Sequence, residues 1–166
     1  MTMQGSQNVL AHLQGLLNCE LAARDQYLGH ARKFRDWGLF KLAAHLDHEQ
    51  EEESEHADKL IERMLFLEAE PDYNQKDKVN IGYDVEQMLK LDLDVEYRVA
   101  AALKEAIATC EAEQDYDTRD ILIQLLDDTE MDHAWWLEQQ LRRIQLVGIQ
   151  NYIQSQMGED GQGAGS

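Results

Sequence analysis

Several residue types are scarce in this 166-residue sequence, and each scarcity argues against a class of protein. The chain has only two cysteines, Cys19 and Cys110, without Cys-x-x-Cys spacing, which argues against a disulfide framework or a thiolate metal site. We expect both to be buried free thiols. It has a single proline, while Leu, Ala, Glu, Gln and Lys dominate. This composition is typical of long helices and makes strands unexpected.

Positive charge and long apolar runs are also lacking. The chain has 15 Lys and Arg against 33 Asp and Glu, a formal net charge of -18. The surrounding field therefore attracts cations and repels phosphate backbones, so no nucleic-acid partner is expected. No window approaches the roughly 20 apolar residues that span a bilayer, and the N-terminal segment MTMQGSQNVL does not resemble a secretion signal. We expect a cytoplasmic, soluble protein without a membrane partner.

Apolar residues recur at three- and four-residue intervals in four long stretches. This periodicity predicts helices over about 7–37, 39–68, 84–114 and 117–147, with a short fifth helix at about 149–157. Residues 70–82 have weak periodicity and predict a long connection between the second and third helices. Two tight junctions and one long crossover predict an all-α four-helix bundle over residues 1–157. The segment 158–166, GEDGQGAGS, predicts a disordered Gly-rich tail.

Each long predicted helix has a carboxylate within its apolar stripe. Two helices also have a histidine three residues after that carboxylate, on the same face. The six residues are Glu20 on the first helix, Glu53 and His56 on the second, Glu96 on the third, and Glu130 and His133 on the fourth.

Several carboxylates in one apolar core are costly unless they are paired, coordinated or protonated. No Lys or Arg is evident at these levels of the bundle, so a pair of metal ions would supply the missing positive charge. Carboxylate oxygen and imidazole nitrogen suit iron or manganese. One Glu from each of two helices and Glu-x-x-His from each of the others is the pattern of ferritin-like di-iron sites.

The specificity of this pattern comes from the combination. Six histidines give about 0.6 Glu-x-x-His matches by chance at ordinary Glu frequency, so one copy alone is weak. Two copies on the second and fourth helices, together with Glu20 and Glu96, favour a metal site. The alternative is that Glu53 and Glu130 lie at the edges of their stripes in solvent and that the histidines are satisfied core residues.

Residues near this set have two interpretations each. Tyr27 could donate a hydrogen bond to a ligating carboxylate, or could be a packed aromatic. His48 and Glu52 are one turn apart and could form a weak extra iron site on a cavity wall, or a plain i, i+4 pair. Four acidic residues on the opposite face of the second helix are expected to form a solvated face: Asp47, Glu51, Glu55 and Asp58.

With these residues in place, the chain resembles the bacterioferritin family over roughly residues 8–156. The matching segments include LAARDQY, ESEHADKLIERMLFLE, VNIGYDVEQMLKLDL, DTRDILIQLL, DHAWWLE and GIQNYIQSQM. The resemblance implies that Glu20 and His56 are terminal ligands of one iron and that Glu96 and His133 are those of the other, with Glu53 and Glu130 bridging. It also implies that His48 and Glu52 form an inner-surface iron site.

One position departs from the family pattern. Bacterioferritins bind haem b through a methionine between the bridging Glu and the histidine of the second helix, and this sequence has Ser54 there. A serine hydroxyl is a poor axial ligand for haem iron, so Ser54 argues against haem b binding. The chain resembles the bacterial ferritin subtype that retains the di-iron site without this methionine.

The resemblance implies a hollow 24-subunit shell that stores ferric mineral, either of one subunit or mixed with a haem-binding bacterioferritin subunit, and a ferredoxin as reductant. The expected activity is a ferroxidase that oxidises Fe(II) with dioxygen or hydrogen peroxide. The rival interpretations are a di-iron oxygenase or peroxidase acting on an organic substrate, a structural helical module, and a DNA-protecting miniferritin. The last normally has its metal ligands between subunits, whereas this chain has a complete set.

Overall fold

The computed structural model describes residues 4–159, which are helical over most of their length. Its helices are α1 (Gln7–Asp36), α2 (Phe40–Phe66), α3 (Val85–Ala112), α4 (Tyr116–Asp127), α5 (Trp135–Val147) and α6 (Ile149–Gln156). A π-helical segment, Asp128–Ala134, joins α4 to α5 without a break, so that Tyr116 to Val147 form one long fourth helix of the bundle. This all-α bundle with a short C-terminal helix confirms the predicted fold class.

Helix starts are stabilised by short polar side chains. Ser6, Asp84 and Asp115 each accept a hydrogen bond from the backbone N–H three residues further on. Such N-caps satisfy an amide that would otherwise have no partner inside the helix. Gly148, at φ 82°, separates α5 from α6, in a backbone region that favours glycine. The predicted boundaries therefore agree with the structure to within about two residues.

The long crossover runs beside α1 from one end of the bundle to the other. Gly5 donates to the Leu67 carbonyl, Gln14 donates to Asp72, and Lys33 donates to the Gly82 carbonyl. The crossover brings the chain back to the end of the bundle where α1 ends and α2 begins. Helix α3 therefore runs antiparallel to α1, and Asn8 near the start of α1 donates a hydrogen bond to Glu113 just after the end of α3. At Gly82 a Cβ atom would lie 2.7 Å from Met88 Cγ, so a side chain there would clash.

The apolar core has two separate parts. One surrounds Leu13, Leu60 and Leu103, and the other surrounds Phe34, Leu46 and Leu89. A buried polar layer lies between them, at about mid-length of every bundle helix. This layer contains most of the residues singled out in the sequence.

Other predictions have mixed outcomes in the described chain. Cys110 is buried as a free thiol, whereas Cys19 is only half-buried and donates to Asp77 Oδ2 at 3.1 Å. Burial raises the pKa of Cys19 to about 12, so its thiol stays protonated. None of the helices in residues 4–159 is long and apolar enough to cross a membrane. Residues 160–166 of the expected tail lie outside the described residues.

Candidate metal centre

Five of the six candidate ligands meet in the buried polar layer. Glu20 comes from α1, Glu53 and His56 from α2, Glu96 from α3, and His133 from the π segment. Each of the five is at most 2% exposed. Regular α-helical spacing places Glu53 and His56 on the same inward face, in line with Leu46 and Leu60.

The five side chains form two triads that share one carboxylate. In the first triad, Nδ1 of His56 lies 3.4 Å from Glu20 and 3.5 Å from Glu53. In the second, Nδ1 of His133 lies 2.9 Å from the other oxygen of Glu53 and 3.4 Å from Glu96. Within each triad the donor atoms all lie within 4.8 Å of one another. The two imidazole rings are stacked with centroids 5.6 Å apart.

Tyr27 belongs to this layer as a hydrogen-bond donor. Its hydroxyl is buried and donates to Glu96 Oε1 at 2.5 Å. Burial, together with the neighbouring charge of Glu96, raises the pKa of Tyr27 well above its usual range. The phenol therefore keeps its proton and holds one oxygen of Glu96 in a fixed orientation.

The electrostatics of the layer favour positive charge. Burial and the carboxylate of Glu53 raise the pKa of Glu20 well above its ordinary value. Burial alone would lower the pKa of His56, but the adjacent carboxylates of Glu20 and Glu53 outweigh it and raise that pKa to about 11. The pKa of His133 is raised as well, against the effect of burial, by Glu49, Glu53 and Glu96. In the metal-free protein, protons on the imidazoles thus offset part of the carboxylate charge.

Several buried atoms of the triads still lack a well-oriented hydrogen bond. They are both carboxylate oxygens of Glu20, Oε2 of Glu53, and Nδ1 of His56 and of His133. Unsatisfied buried polar atoms are rare in native proteins and call for an explanation such as an ion. Here they converge on the same two positions, and their oxygen and nitrogen donors suit iron, zinc or manganese.

Glu130 differs from the expectation, because the structure does not bring it to the triads. Its side chain is 42% exposed and lies 3.4 Å from the Lys104 ammonium. The reason is the π segment: a chain with i→i+5 hydrogen bonds turns by a smaller angle per residue than an α helix, so residues three apart do not share a face. Glu130 and His133 therefore point in different directions, although Glu53 and His56 have the same spacing.

A second group of acidic residues adjoins the second triad through His133. Nε2 of that ring lies 2.8 Å from Glu49 and 2.5 Å from Glu52, and Asp132 completes the group. Although burial would raise the pKa of Glu49, the adjacent imidazoles of His133 and His45, each 2.8 Å away, lower it to about 2. Glu52 also accepts a 2.7 Å contact from the exposed His48. The predicted pair His48 and Glu52 thus exists as an i, i+4 contact. Glu52 contacts both the exposed His48 and the buried His133.

Sequence reasoning missed two residues of this region. Glu49 lies four residues before Glu53 on the same buried stripe, a spacing that could have been noticed within the acidic run. Asp128 has its carboxylate 3.2 Å from Nε2 of His56, and no sequence signal indicated it. The prediction of a solvated acidic face is met by Glu51, Glu55 and Asp58, which are all exposed. Asp47 differs, because it is half-buried and pairs with Arg32 and Arg35.

A four-helix bundle with two buried carboxylate and histidine triads defines a class of helical proteins whose buried donor atoms suit metal ions. The model of the ferritin-like domain matches residues 10–147. The chain is 57% identical over 155 residues to a protein named bacterial ferritin from Synechocystis, covering 93% of this chain and 99% of that protein. It is 50% identical to a bacterial ferritin of Pseudomonas aeruginosa and 37% identical to a bacterioferritin of Brucella melitensis, with at least 92% of each chain covered. The chain belongs to the ferritin family, among the bacterial ferritins and bacterioferritins.

Proposed function

We propose that this protein stores iron and oxidises Fe(II) at the two triads. The observation that supports this most directly is the arrangement of Glu20, Glu53, His56, Glu96 and His133, in which two buried triads share one carboxylate. Three buried carboxylates need compensating positive charge, and two divalent ions provide it. The names of the relatives agree with iron as the ion.

Iron is the substrate of the proposed reaction. The field of a chain with net charge -18 draws Fe(II) toward the protein. The ions displace the protons of His56 and His133, because an imidazole must be neutral at the nitrogen that binds a metal. Two Fe(II) ions supply two electrons, which reduce dioxygen to hydrogen peroxide or hydrogen peroxide to water, with two protons consumed in either case.

The protein residues position the ions and limit their surroundings. Glu53 lies between the triads and would bridge the two ions, while Tyr27 orients Glu96 through its hydrogen bond. The apolar clusters above and below the layer exclude water from the remaining sides. We further propose that ferric iron leaves past Glu52 toward His48, which is 61% exposed.

The proposed assembly is a hollow shell of 24 subunits, alone or mixed with a haem-binding subunit. Large apolar side chains on the surface of one subunit support extensive association, including Leu65, Phe66, Tyr83 and Leu146, each more than half exposed. Ser54 supports a subunit without its own haem ligand. A ferredoxin as the reductant that releases iron remains a prediction.

The decisive experiment is aerobic addition of Fe(II) to metal-free assembled protein, followed by near-ultraviolet absorbance. We expect a fast phase that saturates at two irons per subunit in the wild type and is lost in Glu53→Ala and His133→Ala. Glu51→Ala is the matched control, because Glu51 is exposed on the opposite face of α2. Equal slow oxidation in all four proteins would refute the proposed site.

A further inference from the structure

The π segment decides which carboxylates of the fourth helix point into the bundle. In a π turn, residues four or five apart share a face, whereas in an α helix the neighbours are three or four apart. Thr129 and Asp128 precede His133 by four and five residues. Thr129 is fully buried, and Asp128, although half exposed, contacts Nε2 of His56. Glu130 precedes His133 by three and points outward.

The outward position of Glu130 has its own binding partner. Both carboxylate oxygens lie 3.4 Å from Nζ of Lys104 on α3. The pair occupies a groove of about 250 Å³ between α3 and the fourth helix. The other residues that line this groove are Tyr97, Ala100, Ala101, Ala134 and Glu138. Glu130 is therefore held by a cation in the metal-free state.

Another carboxylate of the same turn, that of Asp128, contacts a histidine of the first triad. Asp128 Oδ2 lies 3.2 Å from Nε2 of His56, the ring nitrogen that faces away from Glu20 and Glu53. The Asp128 side chain is itself half exposed. One turn of helix thus has two partly exposed carboxylates, of which Asp128 contacts a triad histidine and Glu130 contacts Lys104, and a rotation of this turn would exchange these roles.

We propose that the π turn is a register switch for Glu130, an inference that rests on the proposed two-ion site. When ions fill the triads, the π turn moves toward the N-terminus of the fourth helix and residues 130–134 become α-helical. Glu130 then lies on the face of His133, leaves Lys104 and reaches the ions, while Asp128 turns away from His56. The extra residue stays inside the helix, so α5 keeps its packing.

Lys104 is a positioning residue in this switch. An exposed ion pair contributes little free energy, so the pair with Lys104 favours the outward position of Glu130 without preventing its movement. Replacing Lys104 by methionine keeps the aliphatic stem and removes the charge. The second ion should then bind about two- to fivefold more tightly, the size expected from loss of one exposed pair. Lys90→Met is the matched control, because it removes an exposed pair with Glu86 on the same helix but away from the turn.

The test uses redox-inert or oxygen-free metal, so that it does not depend on turnover. Crystal structures of the assembled protein with and without Zn(II) should show Glu130 beside the ions and on Lys104, respectively. Anaerobic Co(II) titration, followed by visible absorbance, should give two ions per subunit in all variants, with tighter binding of the second ion in Lys104→Met only.

The contrary outcomes separate the two proposals. Two Zn(II) ions in the triads with Glu130 still on Lys104 would overturn the switch and leave the metal site intact. Equal Co(II) affinities for Lys104→Met and Lys90→Met would overturn the role of Lys104. Triads that bind no ion in any variant would overturn the proposed function, and the switch with it.

Discussion

The two Glu-x-x-His motifs have the same spacing and different structures. On α2, Glu53 and His56 lie on one face and both enter the buried layer. On the fourth helix, His133 enters the layer and Glu130 contacts Lys104 in an exposed groove. The backbone makes the difference, since α2 is regular while residues 128–134 form a π turn. Identical spacing therefore gives identical geometry only when the hydrogen-bond register is the same.

This difference also divides the proposed site into a preformed half and an adjustable half. Glu20, Glu53 and His56 are already together on the regular helices α1 and α2. The half that contains Glu96 and His133 includes the helix of Glu130, the carboxylate that the resemblance implies as a bridge between the two ions and that lies outside both triads. π turns inside α helices occur frequently at functional sites, where a change of register can move a side chain. The preformed half should accept the first ion and the adjustable half the second.

The largest expected effect on metal binding comes from removing the histidine of one half at a time. His56→Ala and His133→Ala should each bind one Zn(II) per subunit instead of two, with affinity at the damaged triad reduced at least about 100-fold. Isothermal titration of metal-free protein measures both numbers. His12→Ala is the control, because His12 contacts Thr109 and neither triad. Two ions of unchanged affinity in either triad variant would break the division into two halves.

A smaller effect is expected from Tyr27→Phe, which removes the hydrogen bond to Glu96 and leaves the ring. Loss of a residue that orients a ligand typically costs 10- to 100-fold, so the fast phase of Fe(II) oxidation should slow by about tenfold. Tyr97→Phe is a matched control, because Tyr97 donates to Glu138 at the surface. Stopped-flow absorbance distinguishes the two variants, and equal rates would indicate that Tyr27 only fills space.

The pH dependence of stability should distinguish metal-free from metal-loaded protein. The pKa of His56 is about 11 in the folded protein, above the usual 6.5, so the folded state binds the extra proton between these values. This stabilisation is complete below pH 6.5 and is lost as the pH rises toward 11. The raised pKa of Glu20 acts in the same direction, because charging that carboxyl at higher pH costs more in the folded state.

Thermal unfolding at matched assembly state measures this dependence. The unfolding temperature of the metal-free protein should fall by several degrees from pH 6.5 to pH 9. With Zn(II) bound, it should change less over this range, because the ions replace the protons. An equal change of unfolding temperature between pH 6.5 and pH 9 in both forms would mean that protons bound in the buried layer do not cause the pH dependence of stability.

The smallest effect is expected from His48→Ala. His48 lies outside both triads and contacts only the half-buried Glu52 in an exposed pair, so the fast phase should change by less than about twofold. The later growth of mineral should slow if His48 and Glu52 conduct iron away from His133. Repeated Fe(II) additions measure the later phase. A loss of the fast phase itself would place His48 in the oxidation site.

Much of the fold was predictable because its signals are local. Apolar periodicity, the helix cap at Asp84 and the weak periodicity of residues 70–82 each depend on residues close in sequence. The inward positions of Glu20, Glu53, His56 and Glu96 follow from the same periodicity, because these residues lie on regular helices. Glu49 was missed for a different reason: nearly every position of the acidic run around it is polar, which hides which residues face inward.

The amino-acid sequence by itself determined the all-α bundle, its crossover and the four helices that supply carboxylates, because helical periodicity and capping act within a few residues. Only the tertiary structure decided the orientation of Glu130, the contact of Asp128 with His56 and the link between His133 and Glu52. A π turn differs from an α turn by one hydrogen-bond step, and α4 and α5, which flank it, both pack against α3, so the choice between the two turns involves contacts distant in sequence. That choice has no local sequence signature, although it determines which carboxylate faces the proposed metal centre.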